Sequence, residues 1–200
     1  MPTLFLAALF ASALNPARAW SDRAGWESAG GAELAGVDGT AAATTTVRAL
    51  WNDQWLFFEF VCRDDAAVAS GLADGADHFK VGDVVEVFVG KRGEPSYLEV
   101  HATPDGRKTV YAFQSYRRAA PASNDAEIKA GPVEGGWRAV LAIPWSSLGG
   151  KPNNESWEFL AGRYDYDESG SRPVLSSFPA QSGKPDFHKR SRYAVLRLQP

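Results

Sequence analysis

Hydrophobic and polar residues alternate in short runs along most of this chain, with the two-residue period of a β-strand. Runs of strand length fall at 45–51, 55–62, 84–89, 97–103, 109–113, 126–130, 136–143, 157–166 and 193–198. Turn chemistry separates them, as in Asn52-Asp53-Gln54, Pro104-Asp105-Gly106 and Gly135-Gly136. No stretch sustains a helical period. Pro144-Trp145-Ser146-Ser147-Leu148 predicts one short turn with proline at its start. Residues 20–39, rich in Gly and Ala, read as an irregular arm. Many short strands at this spacing predict an all-β fold: an antiparallel, jelly-roll-like β-sandwich of two packed sheets.

Several strands carry charge where alternation leads to expect apolar residues. In Gly82-Asp83-Val84-Val85-Glu86-Val87-Phe88-Val89, the valines 85, 87 and 89 share one face, fit for a core. Glu86 lies on the other face, between Val84 and Phe88. Glu59 stands likewise among Trp55, Phe57 and Val61, and Glu99 between Tyr97 and His101. In the run 157–166, the face of Trp157, Phe159 and Ala161 ends in Arg163 and Asp165. A carboxylate is costly to bury unless it is paired or hydrogen-bonded. Rings beside carboxylates and an arginine suit sugar recognition, the rings stacking on C–H faces while the charges hold hydroxyls. An amphipathic sheet whose Glu and Arg pair in solvent gives the same pattern, and on pattern alone both readings stand.

Composition narrows the field. The chain has 200 residues, enough for one domain with a substantial core, and its formal net charge of −3 gives no electrostatic case for a nucleic-acid partner. The start reads differently from the rest. An apolar run from Leu4 to Leu14, then Asn15-Pro16 and Ala17-Arg18-Ala19, resembles a secretory signal peptide with an Ala-x-Ala cleavage site. Residues 1–19 are therefore expected to be removed, leaving a domain over 20–200 that is secreted or periplasmic. The run is too short to span a bilayer, so no membrane partner is expected after cleavage. Cys62 is the single cysteine and reads as a small buried hydrophobe. His78, His101 and His188 are scattered without zinc-ligand spacing.

The order of these runs resembles the family 9 carbohydrate-binding modules and their family-9-like relatives over nearly all of residues 20–200. The resemblance rests on Ala49-Leu50-Trp51-Asn52-Asp53-Gln54-Trp55-Leu56-Phe57, the Glu86 strand, and Tyr97-Leu98-Glu99-Val100. It continues through Glu134-Gly135-Gly136-Trp137-Arg138-Ala139, Ile143-Pro144-Trp145, Phe159-Leu160-Ala161-Gly162-Arg163 and Pro185-Asp186-Phe187-His188.

The resemblance implies a β-sandwich that binds sugar without catalysis, holding terminal or reducing-end units of glucan or xylan oligosaccharides between two aromatic rings. Glu86 matches the family's sugar-contacting glutamate, with Glu99 as a further candidate. Phe79 and Phe178 fall where the family has its clamp rings, each a Phe in place of Trp. The family's arginine finds Arg163, Arg107 or Lys108 as candidates. No cofactor is required. A structural calcium is implied for some members, with Asp64, Asp65 and Asp77 as oxygen ligands. The expected partner is an oligo- or polysaccharide, and a monomer is expected. The alternatives are an interaction sandwich without sugar affinity, a glycoside hydrolase using two of Glu59, Glu86 and Glu99, and a b-type haem-binding relative.

Overall fold

The structure is a computed structural model that describes residues 3–9, 15–150, 156–170 and 172–199. Every strand expected from the alternation is present. They are β4 (Thr45–Trp51), β5 (Trp55–Arg63), β6 (Val84–Lys91), β7 (Tyr97–Ala102), β8 (Lys108–Ser115), β10 (Glu127–Val133), β11 (Gly136–Pro144), β12 (Trp157–Asp165) and β14 (Ala194–Leu198). The alternation did not reveal β1 (Leu4–Leu9), β2 (Gly31–Glu33), β3 (Ala35–Gly36), β9 (Arg118–Ala120) and β13 (Val174–Phe178). Most of these are too short to carry a period. The turn at Pro144 forms as expected, a 3-10 turn over Trp145–Leu148.

Two sheets pack face to face. One runs β10-β11-β5-β4 and the other β14-β12-β6-β7-β8-β9. Neighbouring strands pair antiparallel except at β1, which runs parallel to both β14 and β4 and joins the sheets along one edge. Between the sheets lies the main core, built from Val47, Leu56, Phe58, Phe60, Val85, Val87, Val89, Val100, Trp157 and Phe159 among others. The all-valine face of β6 is therefore core, and Cys62 is buried there as a hydrophobe, its thiol pushed up to about 12 by burial.

The outer faces are covered too. Over the first sheet lie two six-residue helices, α1 (Pro16–Ser21), mostly within the stretch read as a leader, and α2 (Arg23–Ser28), where an irregular arm was expected. Asn15 and Asp22 cap them by accepting the amides of Arg18 and Gly25, a signal that outweighs the Gly/Ala-rich composition. Trp26 and Ala29 bury Phe57, Val140 and Ala142 beneath them. Glu59 is on this same outer face, held by Arg138 at 2.5 Å and Arg48 at 3.0 Å. It is a structural ion pair, far from the other two strand glutamates. The second sheet's outer face carries Phe88, Tyr97, Leu160, Phe187 and Tyr193. There the cover is loop rather than helix, and it leaves a cleft.

Candidate functional site

Strand register builds the floor of that cleft. In β6 Glu86 pairs with His101 of β7 on one side and with Gly162 of β12 on the other. Glu99 pairs with Phe88, one pleat along. The side chains of Glu86, Glu99 and His101 thus rise from one face and converge. His101 Nε2 lies 2.6 Å from Glu99 Oε1 and 3.1 Å from Glu86 Oε1. All three are buried, between 0% and 6% exposed. Nε2 thus faces two carboxyl oxygens at once. Nδ1 is then left buried without a partner.

Gly162 has a spatial role. A Cβ there would stand 2.9 Å from the Phe187 ring, so the missing side chain lets that ring settle against the sheet beside Glu86. Phe79, Tyr164, Phe187, Leu175 and Pro185 form the walls around a cleft of about 190 Å³, with Arg117 and His188 at its side. The rings brace one another: Phe79 against Tyr164 at 5.6 Å, Tyr164 against Phe187 at 6.2 Å, and Phe88 against His188 at 5.4 Å. Tyr97 stacks on Phe113 at 4.8 Å and bonds His188 Nδ1 at 2.9 Å, which fixes that ring at the cleft edge. Arg117 pairs with Asp186 at 3.1 Å, tying the loop that carries Phe187 and His188 to the turn between β8 and β9.

Burial raises the Glu86 carboxyl to about 8, opposed by His101 and reinforced by Glu99. Burial alone would depress His101, but Glu86 and Glu99 outweigh it and hold the imidazole above its ordinary value. Both shifts act in one sense, since the trio keeps a proton that free side chains would release. The folded state therefore binds more protons than the unfolded chain as pH rises through the interval ending near 8, and stability falls across it. Between pH 6.5 and 9 we expect a loss on the order of 2 kcal/mol, or roughly 4–8 °C in Tm. Glu86→Gln, which cannot titrate, should flatten the profile. A wild-type profile already flat over that range would contradict the shared proton.

Of the site residues expected from sequence, Glu86, Glu99 and Phe79 come together here. Phe178 does not. It faces the main core, 5.6 Å from Phe5 and 5.9 Å from Phe159, because its pairing with Ala161 sets it on the core side of β13. Arg163 is on the core side as well, pairing in register with Val85 and lying fully buried beneath the sheet. It binds Asp64 at 2.8 Å and Asp165 at 2.7 Å. Arg107 and Lys108 are absent from the cleft lining too, and Lys108 reaches the carbonyl of Ala126 instead. Sequence reasoning placed His101 on the Glu99 face but gave it no role. It passed over Tyr164, Phe187 and His188 as site residues, although Pro185-Asp186-Phe187-His188 stood out as a motif.

The acidic residues expected around a calcium divide. Asp65 is exposed, and Asp77 is committed to Lys80 and Tyr111. Asp64 instead meets Asp83 and Asp165, with carboxylate oxygens within 4.8 Å of one another. Protein donors already occupy most of these oxygens. Asp83 accepts the amides of Val68 and Tyr166, and Asp64 accepts Ala66 N, Trp137 Nε1 and Arg163. A calcium there would compete with Arg163, which supplies a cation at the same oxygens, so this group does not fit the ion as it stands.

The cleft thus lies on the outer face of a two-sheet sandwich, acidic below and aromatic around. The profile of the carbohydrate family 9 binding domain-like proteins matches residues 17–200, and the chain belongs to that family. Its fold is similar to a solved protein of Bacteroides uniformis proposed to bind carbohydrate, with TM-score 0.81 and 14% identity over 100% of both chains. It is also similar to a family 9 carbohydrate-binding module of Caldicellulosiruptor kristjanssonii solved with glucose (TM-score 0.74, 13% identity, 98% of this chain and 96% of that one). The module from that organism solved with cellotriose gives TM-score 0.70 at 14% identity, over 98% and 94%. No curated protein matches the chain.

Proposed function

We propose that this protein is an exported, non-catalytic module that holds one sugar unit in the cleft over β6, β7 and β12. The observation that carries this reading is the buried trio of Glu86, His101 and Glu99 beneath the rings of Phe79, Tyr164 and Phe187. Carboxyl groups locked by a histidine present oriented hydrogen-bonding partners for hydroxyl groups, and the rings offer faces to the C–H side of a pyranose. A volume near 190 Å³ lies below the roughly 300–1,000 Å³ of drug-sized sites, which favours a single terminal unit over a run of the chain. The solved relatives bound to glucose and cellotriose support a hexose. Glu86 and Glu99 converge on one histidine rather than flanking a space for a scissile bond, an arrangement suited to binding and not to hydrolysis.

Titration calorimetry with glucose, cellobiose and xylobiose tests this. Wild-type protein should bind at least one of them, and Glu86→Ala should weaken it by about tenfold or more. Absence of heat with every sugar, or an affinity indifferent to Glu86→Ala, would refute the reading.

A further inference from the structure

The buried acids of this protein are not all neutralised in the same way. Glu59 receives two arginines, part-buried Asp64 and Asp165 share Arg163, part-buried Glu158 takes Arg190 at 2.6 Å, and fully buried Asp83 takes the amides of Val68 and Tyr166. Glu86 and Glu99 receive neither Arg nor Lys among the described residues. The basic partner they share is His101, reached through a single nitrogen. Two carboxyl groups and one imidazole therefore form a floor without a permanent cation, a gap in positive charge. The cations near the mouth do not offset it, because Arg117 is spent on Asp186 and Lys80 on Asp77.

One atom shows where the missing charge belongs. Glu99 Oε2 is buried, has no hydrogen-bond partner, and belongs to a residue that lines the cleft. The nearest basic nitrogen is His188 Nδ1 at 3.9 Å, already bonded to Tyr97 and on a ring whose imidazole burial shifts below its ordinary value. An unmet carboxylate oxygen under the rings of Phe79, Tyr164 and Phe187 is a seat for a cationic donor. The carboxylate takes the charge-assisted hydrogen bond, and the ring faces favour a positive group passing between them. A neutral hydroxyl could fill the hydrogen bond but would bring no positive charge to the floor.

We propose that the cleft prefers an amino sugar, whose protonated amine donates to Glu99 Oε2 while its ring lies against the aromatic walls. This rests on the sugar-binding reading and specifies its ligand class. The protonated amine supplies a cation of the kind that the chain gives to buried Glu59 but withholds from Glu86 and Glu99.

Calorimetry of the full chain at pH 6.5 and low salt would compare glucose, galactose and mannose, each against its 2-amino-2-deoxy derivative. N-acetylglucosamine serves as the uncharged control. The amino form of the preferred hexose should bind about tenfold tighter than its neutral parent. Acetylation should abolish the gain, and added salt should erode it. Glu99→Gln should bring the ratio of the two affinities close to one, with circular dichroism confirming that the variant folds. Equal or weaker binding of the amino sugars overturns the proposal while leaving sugar binding in place. No binding of any sugar in the set overturns both. The acetyl and salt comparisons need only wild-type protein, so a poorly folded variant does not spare the proposal.

Discussion

Replacing Arg163 by methionine will lower the stability of this protein by about 3–5 kcal/mol and leave its sugar affinity within about twofold of wild type. Arg163 is completely buried on the core side of β12. Besides its two carboxylates, it donates to Thr45 Oγ1 at 2.9 Å and to the carbonyl of Arg63 at 3.0 Å, so it ties β12 to both β4 and β5. Methionine fills much of the same volume but leaves Asp64 and Asp165 beside Asp83 with no cation. Uncompensated buried charge is the expensive outcome, more than the loss of the pair itself. Urea unfolding at neutral pH gives the stability, and calorimetry on the folded variant gives the affinity. Added calcium should raise the variant's Tm more than the wild type's, since the ion then meets three carboxylates with no arginine among them. A stability loss below about 1 kcal/mol would show that the guanidinium is not what holds this corner together.

The sequence placed Arg163 at the sugar, and the reason for the error is instructive. Its parity was correct: Trp157, Phe159, Ala161 and Arg163 do share a face. What alternation cannot supply is register between strands. Once Arg163 is paired with Val85, it falls on the face that the valines of β6 already marked as core. Phe178 failed for the same reason, and it sits on a strand too short and too serine-rich to be read. Glu86, Glu99 and Phe79 do meet at one cleft, Glu86 and Phe79 placed by motif and Glu99 by the alternation of its strand. Both faces of β6 are buried, one by the opposite sheet and one by loops, and this explains a strand that is apolar on both sides yet carries a glutamate. Phe187 and His188 reach the cleft from a loop far along the chain, held by Tyr97 and by the ion pair of Arg117 with Asp186. Contacts of that range leave no periodic trace.

A chain beginning at Trp20 will unfold more readily than the full chain, by about 3–5 kcal/mol. The sequence reading sets residues 1–19 aside as a leader, and export remains part of the proposed function. Yet Leu4–Leu9 occupies a place in the fold, paired to β14 along Leu4–Ala7 and to β4 at Ala8 and Leu9. Phe5 is 5% exposed and meets Phe159 edge-on at 4.9 Å. Its removal opens a cavity at the seam of the two sheets and bares the edges of β4 and β14, which invites strand pairing between molecules. Cleavage after Ala19 would also cut at the carbonyl that receives Trp26 Nε1 at 2.7 Å, the anchor of α2 over the first sheet. Two measurements separate the cases. Urea unfolding compares the full chain with residues 20–200, and intact mass identifies the form recovered from cells. A mature chain starting at Trp20 with undiminished stability would make β1 a passenger. A recovered chain that keeps Met1, together with a weakened 20–200, would make β1 a strand of the domain and count against cleavage after Ala19.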